Sequence, residues 1–174
     1  MSSVIASFGL PIDLGRLNID YIFPMNLSGG EMNKKTIIGT VVLFFGMAVM
    51  GFVIHGVLLS ADYQAEPIAS SMRSPEEMMG LMWIYYLVYL VQSYVLSFIF
   101  FKGYEGKGLL EGARFGVLSG VLMTSGMAFA TYAMYPTPFL VGFKWFVFGM
   151  AEYFVLGCLL ALIANKVDGS KQAA

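Results

Sequence analysis

Four long apolar runs separated by short polar stretches dominate the pattern of hydrophobic and polar positions along this chain. The runs cover about residues 36–59, 78–101, 111–135 and 140–164. Each is longer than the roughly 20 apolar residues with which a helix crosses the hydrocarbon of a bilayer. Pro75, Pro136 and Pro138 lie between the runs, where proline ends a helix. The pattern therefore predicts an all-α fold, an integral membrane bundle of four transmembrane helices within residues 33–166.

The two ends of the chain lack this pattern. Residues 1–32 mix polar and apolar positions without helical or alternating periodicity, which predicts an N-terminal extension. An alternative is that Met32 is the true start, because Met-Asn-Lys-Lys followed directly by an apolar run is a common beginning of bacterial membrane proteins. Residues 167–174 predict a short polar tail.

Small residues recur at every fourth position of the third run. They are Gly112, Gly116, Gly120, Thr124 and Ala128, and on a helix they form one ridge. Lipid tails remove the hydrophobic drive for helix association, so membrane helices pack closely along such small residues. We therefore expect the third helix to organise the fold of this chain or an oligomer of it.

The composition agrees with a membrane protein and excludes several functions. Hydrophobic residues make up 58% of the chain and charged residues 12%, and the net charge of -1 gives no basic excess to attract nucleic acid. The single cysteine, Cys158, excludes an internal disulfide. The single histidine, His55, excludes a multi-histidine metal site within this chain, and we expect neither a cofactor nor a metal.

The distribution of lysine and arginine predicts the orientation. Basic residues lie before the first span, in the turn between the second and third spans, and after the fourth span. The connection after the first span has only Arg73, and the turn after the third span has none. The positive-inside rule therefore predicts that both termini are cytoplasmic.

Glu152 is the first candidate for a functional residue, because it lies midway along the fourth span. It is about 18 Å along the helix from either predicted end, and an ionised carboxylate at that depth is costly unless it is paired or protonated. Gln92 is near the middle of the second span, and Thr124 with Ser125 near the middle of the third. These side chains would form a buried polar layer with Glu152.

Tyr85, Tyr89 and Gln92 follow i, i+4, i+7 spacing and therefore share one face of the second helix. That face would lead from the outer surface to the layer around Glu152. One interpretation is that these groups only join helix to helix, with the tyrosines as packing. The other is a pathway for a ligand, a proton or a substrate.

His55 and Lys144 lie near the outward ends of the first and fourth spans. Lys144 can extend to the interface beside Trp145, a residue type typical of that depth. An imidazole titrates near physiological pH, so His55 is either a hydrogen-bonded structural residue or a sensor or ligand.

One combination of motifs resembles a known family. The motifs are His55-Gly56 with Tyr63 shortly after, the glycine-rich turn of residues 102–108, Gly112-x-Arg114-Phe115-Gly116, and the outer turn that contains Pro136 and Pro138. Over about residues 34–166 this combination resembles a family of small four-helix bacterial inner-membrane proteins of unknown function. The resemblance implies a location in the bacterial inner (plasma) membrane. It carries no activity.

We expect a non-enzymatic accessory or interaction subunit, with the lipid bilayer and either a second copy or another membrane protein as partners. The first alternative is a proton-linked small transporter or permease subunit that uses Glu152. The second is a membrane enzyme acting on lipid or quinone through His55 and Lys144, although the sequence has no recognisable catalytic motif.

Overall fold

The computed structural model describes the backbone of residues 30–172 and the side chains of residues 34–167. Within these residues every regular element is helical, as predicted. The helices are α1 Gly30–Gly51, the π-helix π1 Phe52–Leu58, α2 Ser60–Gln64, α3 Ile68–Ser71, α4 Pro75–Gly103, α5 Leu109–Met134 and α6 Phe139–Gln172. Apart from residues 30–32, the predicted extension lies outside the described residues.

Four of these helical segments are long and apolar enough to cross a membrane. They are Lys34–Leu58, which joins α1 to π1, Pro75–Gly103, Leu109–Met134 and Phe139–Val167. The final helix extends beyond the predicted fourth span and into residues 167–172, for which the sequence predicted only a polar tail. The described part of the chain is thus an all-helical protein with four candidate membrane spans.

The start of α4 is defined by local chemistry. Pro75 occupies the first turn, and the Ser74 hydroxyl accepts the Glu77 N–H at 3.3 Å while the Glu77 carboxylate accepts the Ser74 N–H at 3.2 Å. This reciprocal capping box satisfies two backbone donors that the helix itself leaves unpaired. The helix therefore begins three residues before the predicted span.

We name the two ends of the bundle by a residue of their connections. The Pro67 end contains α2, α3 and the turn of residues 135–138, and the Gly106 end contains the turn of residues 104–108. At the Gly106 end the backbone turns through Gly106 and Gly108, which have φ values of 84° and 69° that favour glycine. The Glu111 carboxylate holds this turn by accepting the backbone N–H groups of Glu105 and Lys107 at 2.7 and 2.9 Å.

The ridge of small residues on α5 lies directly against α6. A Cβ atom added to Gly116 would lie 2.9 Å from Phe154 Cα, and one added to Gly112 would lie 2.6 Å from Ala161 Cβ. Gly120 faces Met150, and Ala128 is fully buried. The two helices thus approach as closely as their backbones allow.

The apolar core joins α1, α4 and α6. Its fully or almost fully buried side chains include Leu43, Met47, Phe100, Leu156 and Leu160. The half of α4 nearer the Pro67 end does not share this burial, because every residue from Met82 to Val88 is at least 40% exposed. That stretch is about two helical turns, so no face of it is covered by the described bundle.

Candidate functional site

The π-helix π1 carries His55 at the Pro67 end. Its wider turn is visible in the bond from the Leu59 N–H to the Ile54 carbonyl, five residues back, at 2.9 Å. Such π segments are rare and occur frequently at functional sites. The side chain of Leu59 is fully buried where π1 ends, and α2 begins at the next residue.

His55, Tyr63 and Trp145 form a chain of hydrogen bonds. The Trp145 Nε1–H donates to the Tyr63 hydroxyl at 2.8 Å, and the same hydroxyl lies 2.5 Å from His55 Nδ1. The imidazole and phenol rings are stacked, with centroids 6.0 Å apart and planes 11° apart. The indole can only donate, whereas the direction of the bond between Tyr63 and His55 Nδ1 depends on the tautomer of the imidazole.

Asp62 and Lys144 form an ion pair beside this chain. Lys144 Nζ lies 2.8 Å from both carboxylate oxygens of Asp62, and both side chains are partly buried. Lys144 therefore pairs with α2, in place of the extension to the interface that the sequence suggested. We call His55, Asp62, Tyr63, Lys144 and Trp145 the His55 cluster.

The environment of Tyr63 favours its neutral form. Burial raises the pKa of the phenol to about 12, and the charges of Tyr85 and Asp62 act in the same direction. The hydrogen bond from Trp145 opposes this rise only in part. Tyr63 therefore stays protonated at neutral pH and keeps its hydrogen bond to His55.

Glu152 lies on α6 beside the apolar core, on the side of the core that is nearer the Pro67 end. It lies one turn from Leu156 and two turns from Leu160 on the same face of α6, and that face packs against Gly46 and Gly39 of α1. Glu152 is partly buried, and none of the described residues forms a hydrogen bond or an ion pair with its carboxyl group.

Two tyrosines lie near Glu152, and a glutamine contacts one of them. Tyr89 and Tyr153 lie close enough to interact with it electrostatically, and the Tyr153 hydroxyl donates to Gln92 Oε1 at 3.4 Å. The Tyr89 hydroxyl packs against Gly51, where an added Cβ would lie 2.6 Å from it. We call Tyr89, Gln92, Glu152 and Tyr153 the midspan cluster.

Tyr85 connects the two clusters. It interacts electrostatically with Tyr63 of the His55 cluster and with Tyr89 of the midspan cluster. A line of polar side chains therefore runs from the Pro67 end to Glu152. On the other side of Glu152 the core holds two buried serines of α4: the Ser93 hydroxyl donates to Met47 Sδ at 3.6 Å, and the Ser97 hydroxyl forms no hydrogen bond with the described residues.

Thr124 and Ser125 lie apart from this line. Their hydroxyls donate to the carbonyls of Gly120 and Val121 in their own helix at 2.7 and 2.6 Å. Thr124 also packs against Gly149 of α6. Among the described residues, therefore, no hydrogen bond joins Thr124 or Ser125 to Glu152, as a polar layer across α5 and α6 would require.

The sequence analysis missed Asp62 and Tyr153. Asp62 was treated as part of a polar connection, although an acidic residue near the predicted depth of Lys144 was an available signal. Tyr153 was hidden in an apolar run next to Glu152. Within residues 34–167 no three His, Cys, Asp or Glu side chains are grouped so that they could hold a metal ion.

The fold defines the class of the molecule, a small all-helical protein with four helices able to cross a membrane. Comparison with protein-family models, curated proteins and solved structures finds no match for this chain. The resemblance to a four-helix bacterial family therefore stays a prediction. The two clusters and the exposed half of α4 are the observations from which a function can be argued.

Proposed function

We propose that this chain is a multi-pass protein of the bacterial inner membrane that acts as a non-enzymatic accessory or interaction subunit. Its four apolar helices support insertion, and the lysines near the Gly106 end support a cytoplasmic position for that end and for both termini. The Pro67 end and its His55 cluster then face outward.

The exposed stretch of α4 from Met82 to Val88 carries this proposal. Trp83, Tyr85 and Tyr86 are 62%, 58% and 47% exposed, so their polar groups would lie among lipid tails at the Pro67-end half of the helix. Indole and phenol groups in an apolar environment gain from a hydrogen-bonding partner, which another membrane helix can provide. By contrast, the exposed face of α5 offers aliphatic side chains such as Leu118 and Leu122, which suit lipid.

Photocrosslinking tests the interaction role. A photoreactive benzoyl-phenylalanine replaces Leu87 in the exposed stretch of α4 or Leu122 on α5, which is 79% exposed and serves as the matched control. We expect irradiation of native membranes to give a protein adduct at position 87 and lipid adducts at position 122. Lipid adducts alone at both positions would contradict the proposal, and the adduct's mass separates a second copy from a different membrane protein.

A proton-linked transporter subunit is the second candidate. The observation that favours it is the line of polar side chains from Tyr63 through Tyr85 and Tyr89 to Glu152. A carboxyl group without a described protein partner can gain and lose a proton, and phenols along the line can relay it. Because four helices rarely enclose a full pathway, this role requires an oligomer.

Proton flux in proteoliposomes tests the second candidate. Glu152→Gln keeps the shape of the side chain and removes its titration, so we expect it to abolish proton uptake driven by a membrane potential. Glu76→Gln, an exposed change in the first turn of α4, is the control and keeps the flux. Equal flux in both variants and the native protein would remove this candidate.

A further inference from the structure

We propose that the midspan cluster binds a lipophilic monovalent organic cation, such as a quaternary ammonium or phosphonium ion, which enters sideways from the membrane. This inference goes beyond the accessory role, and it applies to the chain while the exposed stretch of α4 is open to lipid and not covered by a partner helix. It shares Glu152 with the second candidate function but does not need transport.

The charge of the cluster defines the charge of the ligand. Glu152 lies near the middle of its span, and among the described residues its carboxyl group forms neither an ion pair nor a hydrogen bond. In a low-dielectric environment such a carboxylate exists either protonated or beside a single positive charge. A monovalent cation and a proton therefore compete for the same group.

The remaining groups of the cluster favour an organic ion over a metal ion. Mg²⁺ and Ca²⁺ take about six or more oxygen ligands, whereas the cluster has one carboxyl, one amide and two phenols. The faces of tyrosine rings attract cations by about 0.5–2 kcal/mol each, and this attraction does not need a hydrogen bond from the ligand. Tyr89 and Tyr153 supply such rings near Glu152.

The exposed stretch of α4 provides the entrance. Tyr85 is 58% exposed and lies between the two clusters, so the side of the cluster along α4 is open to lipid. The buried core closes the space towards the Gly106 end, and Met47 and Leu156 are each only 1% exposed there. A ligand could place its charge beside Glu152 while its apolar groups stay among lipid tails, which explains the preference for a lipophilic cation.

Equilibrium binding of tetraphenylphosphonium tests the proposal. Purified protein is reconstituted in phosphatidylcholine vesicles, and binding is measured in excess of empty vesicles. We expect one saturable component that weakens as the pH falls, because protons neutralise Glu152. Glu152→Gln removes this component, Glu152→Asp retains a weaker one, and the exposed change Glu76→Gln leaves it unchanged.

A second pair of variants separates the site from simple partition into lipid. Tyr89→Phe keeps the aromatic ring and therefore the binding, whereas Tyr89→Leu weakens it by about fivefold. Equal saturable binding in native protein and Glu152→Gln, with both variants monodisperse and helical, would overturn the proposal. Saturable binding without proton flux supports the cation site and removes only the transporter candidate. Proton flux that is lost in Glu152→Gln, with no saturable cation binding, supports the transporter candidate and removes the cation site.

Discussion

At the scale of single residues, Tyr63, which lies outside the four candidate spans, gives a testable pH dependence. Its pKa of about 12 in the folded protein lies above the ordinary value of 10.0, mainly because the phenol is buried. The neutral form therefore stabilises the fold fully below pH 10, and this contribution is lost as the pH rises from 10 through 12. The Trp145–Tyr63–His55 chain should weaken over the same interval.

An ultraviolet titration of tyrosine ionisation checks this expectation. The difference between the native protein and Tyr63→Phe should show one phenol that ionises near pH 12. A difference component that ionises at pH 10 would show that Tyr63 is not buried as described. Trp83→Phe in both proteins leaves Trp145 as the sole indole, and its fluorescence should change at the same pH.

The Asp62–Lys144 pair predicts a coupling energy between α2 and α6. Asp62→Asn or Lys144→Met alone leaves one partly buried charge unpaired, whereas the double variant removes both charges. We expect each single change to lower the free energy of unfolding by about 1–2 kcal/mol and the double change to cost less than the sum. Chemical unfolding in detergent measures the cycle. Additive effects of the two single changes would contradict a direct interaction.

At the scale of helices, the ridge of α5 predicts opposite effects for one chemical change. Gly116→Ala places a Cβ 2.9 Å from Phe154 Cα in the backbone of α6, so the helices must separate. We expect a loss of about 1–3 kcal/mol. Gly126→Ala meets no atom within 4 Å, and it should be neutral or stabilise by up to about 1 kcal/mol. Thermal unfolding of the two variants in the same detergent makes the comparison, and equal effects would contradict the close α5–α6 contact.

The hydrophobic pattern was sufficient to predict the helical class and the four candidate spans, because length and apolarity decide them locally. It could not predict π1, since the extra residue per turn has no hydrophobic signature. Two contacts accompany it that the hydrophobic pattern does not encode, the burial of Leu59 and the bond between His55 and Tyr63. The start of α4 is easier to predict from the sequence, because Ser74, Pro75 and Glu77 form a recognisable capping signal.

The candidate site shows why depth along a span is an incomplete guide. Depth predicts that Gln92 and Glu152 lie at one level, but it carries no information on the direction in which a side chain points. Thr124 satisfies its hydroxyl within its own helix, an option open to any threonine in a helix. Partners distant in sequence, such as Tyr63 and Trp145, become neighbours only through the packing of α2 on α6.

At the scale of the whole molecule, the two interpretations of Glu152 depend on one topology. If four helices cross the membrane, the connection containing Pro67 and the turn containing Pro136 lie on the same side, and the lysine distribution predicts that this side faces outward. The His55 cluster supports this pairing physically, because it joins α2 to α6 beside that turn.

Cysteine labelling in intact cells tests the topology directly. Cys158→Ala provides a background without native thiols, and single cysteines replace Ser70 in α3 or Thr137 in the outer turn. We expect a membrane-impermeant maleimide to label both positions, whereas a cysteine at Lys107, in the turn at the Gly106 end, reacts only after the cells are opened. Labelling of positions 70 and 137 from opposite sides would leave an odd number of crossings between them. That result would contradict the proposed four-span topology. The outward position of the tyrosines and the lateral entrance to Glu152 depend on this topology and would be lost with it.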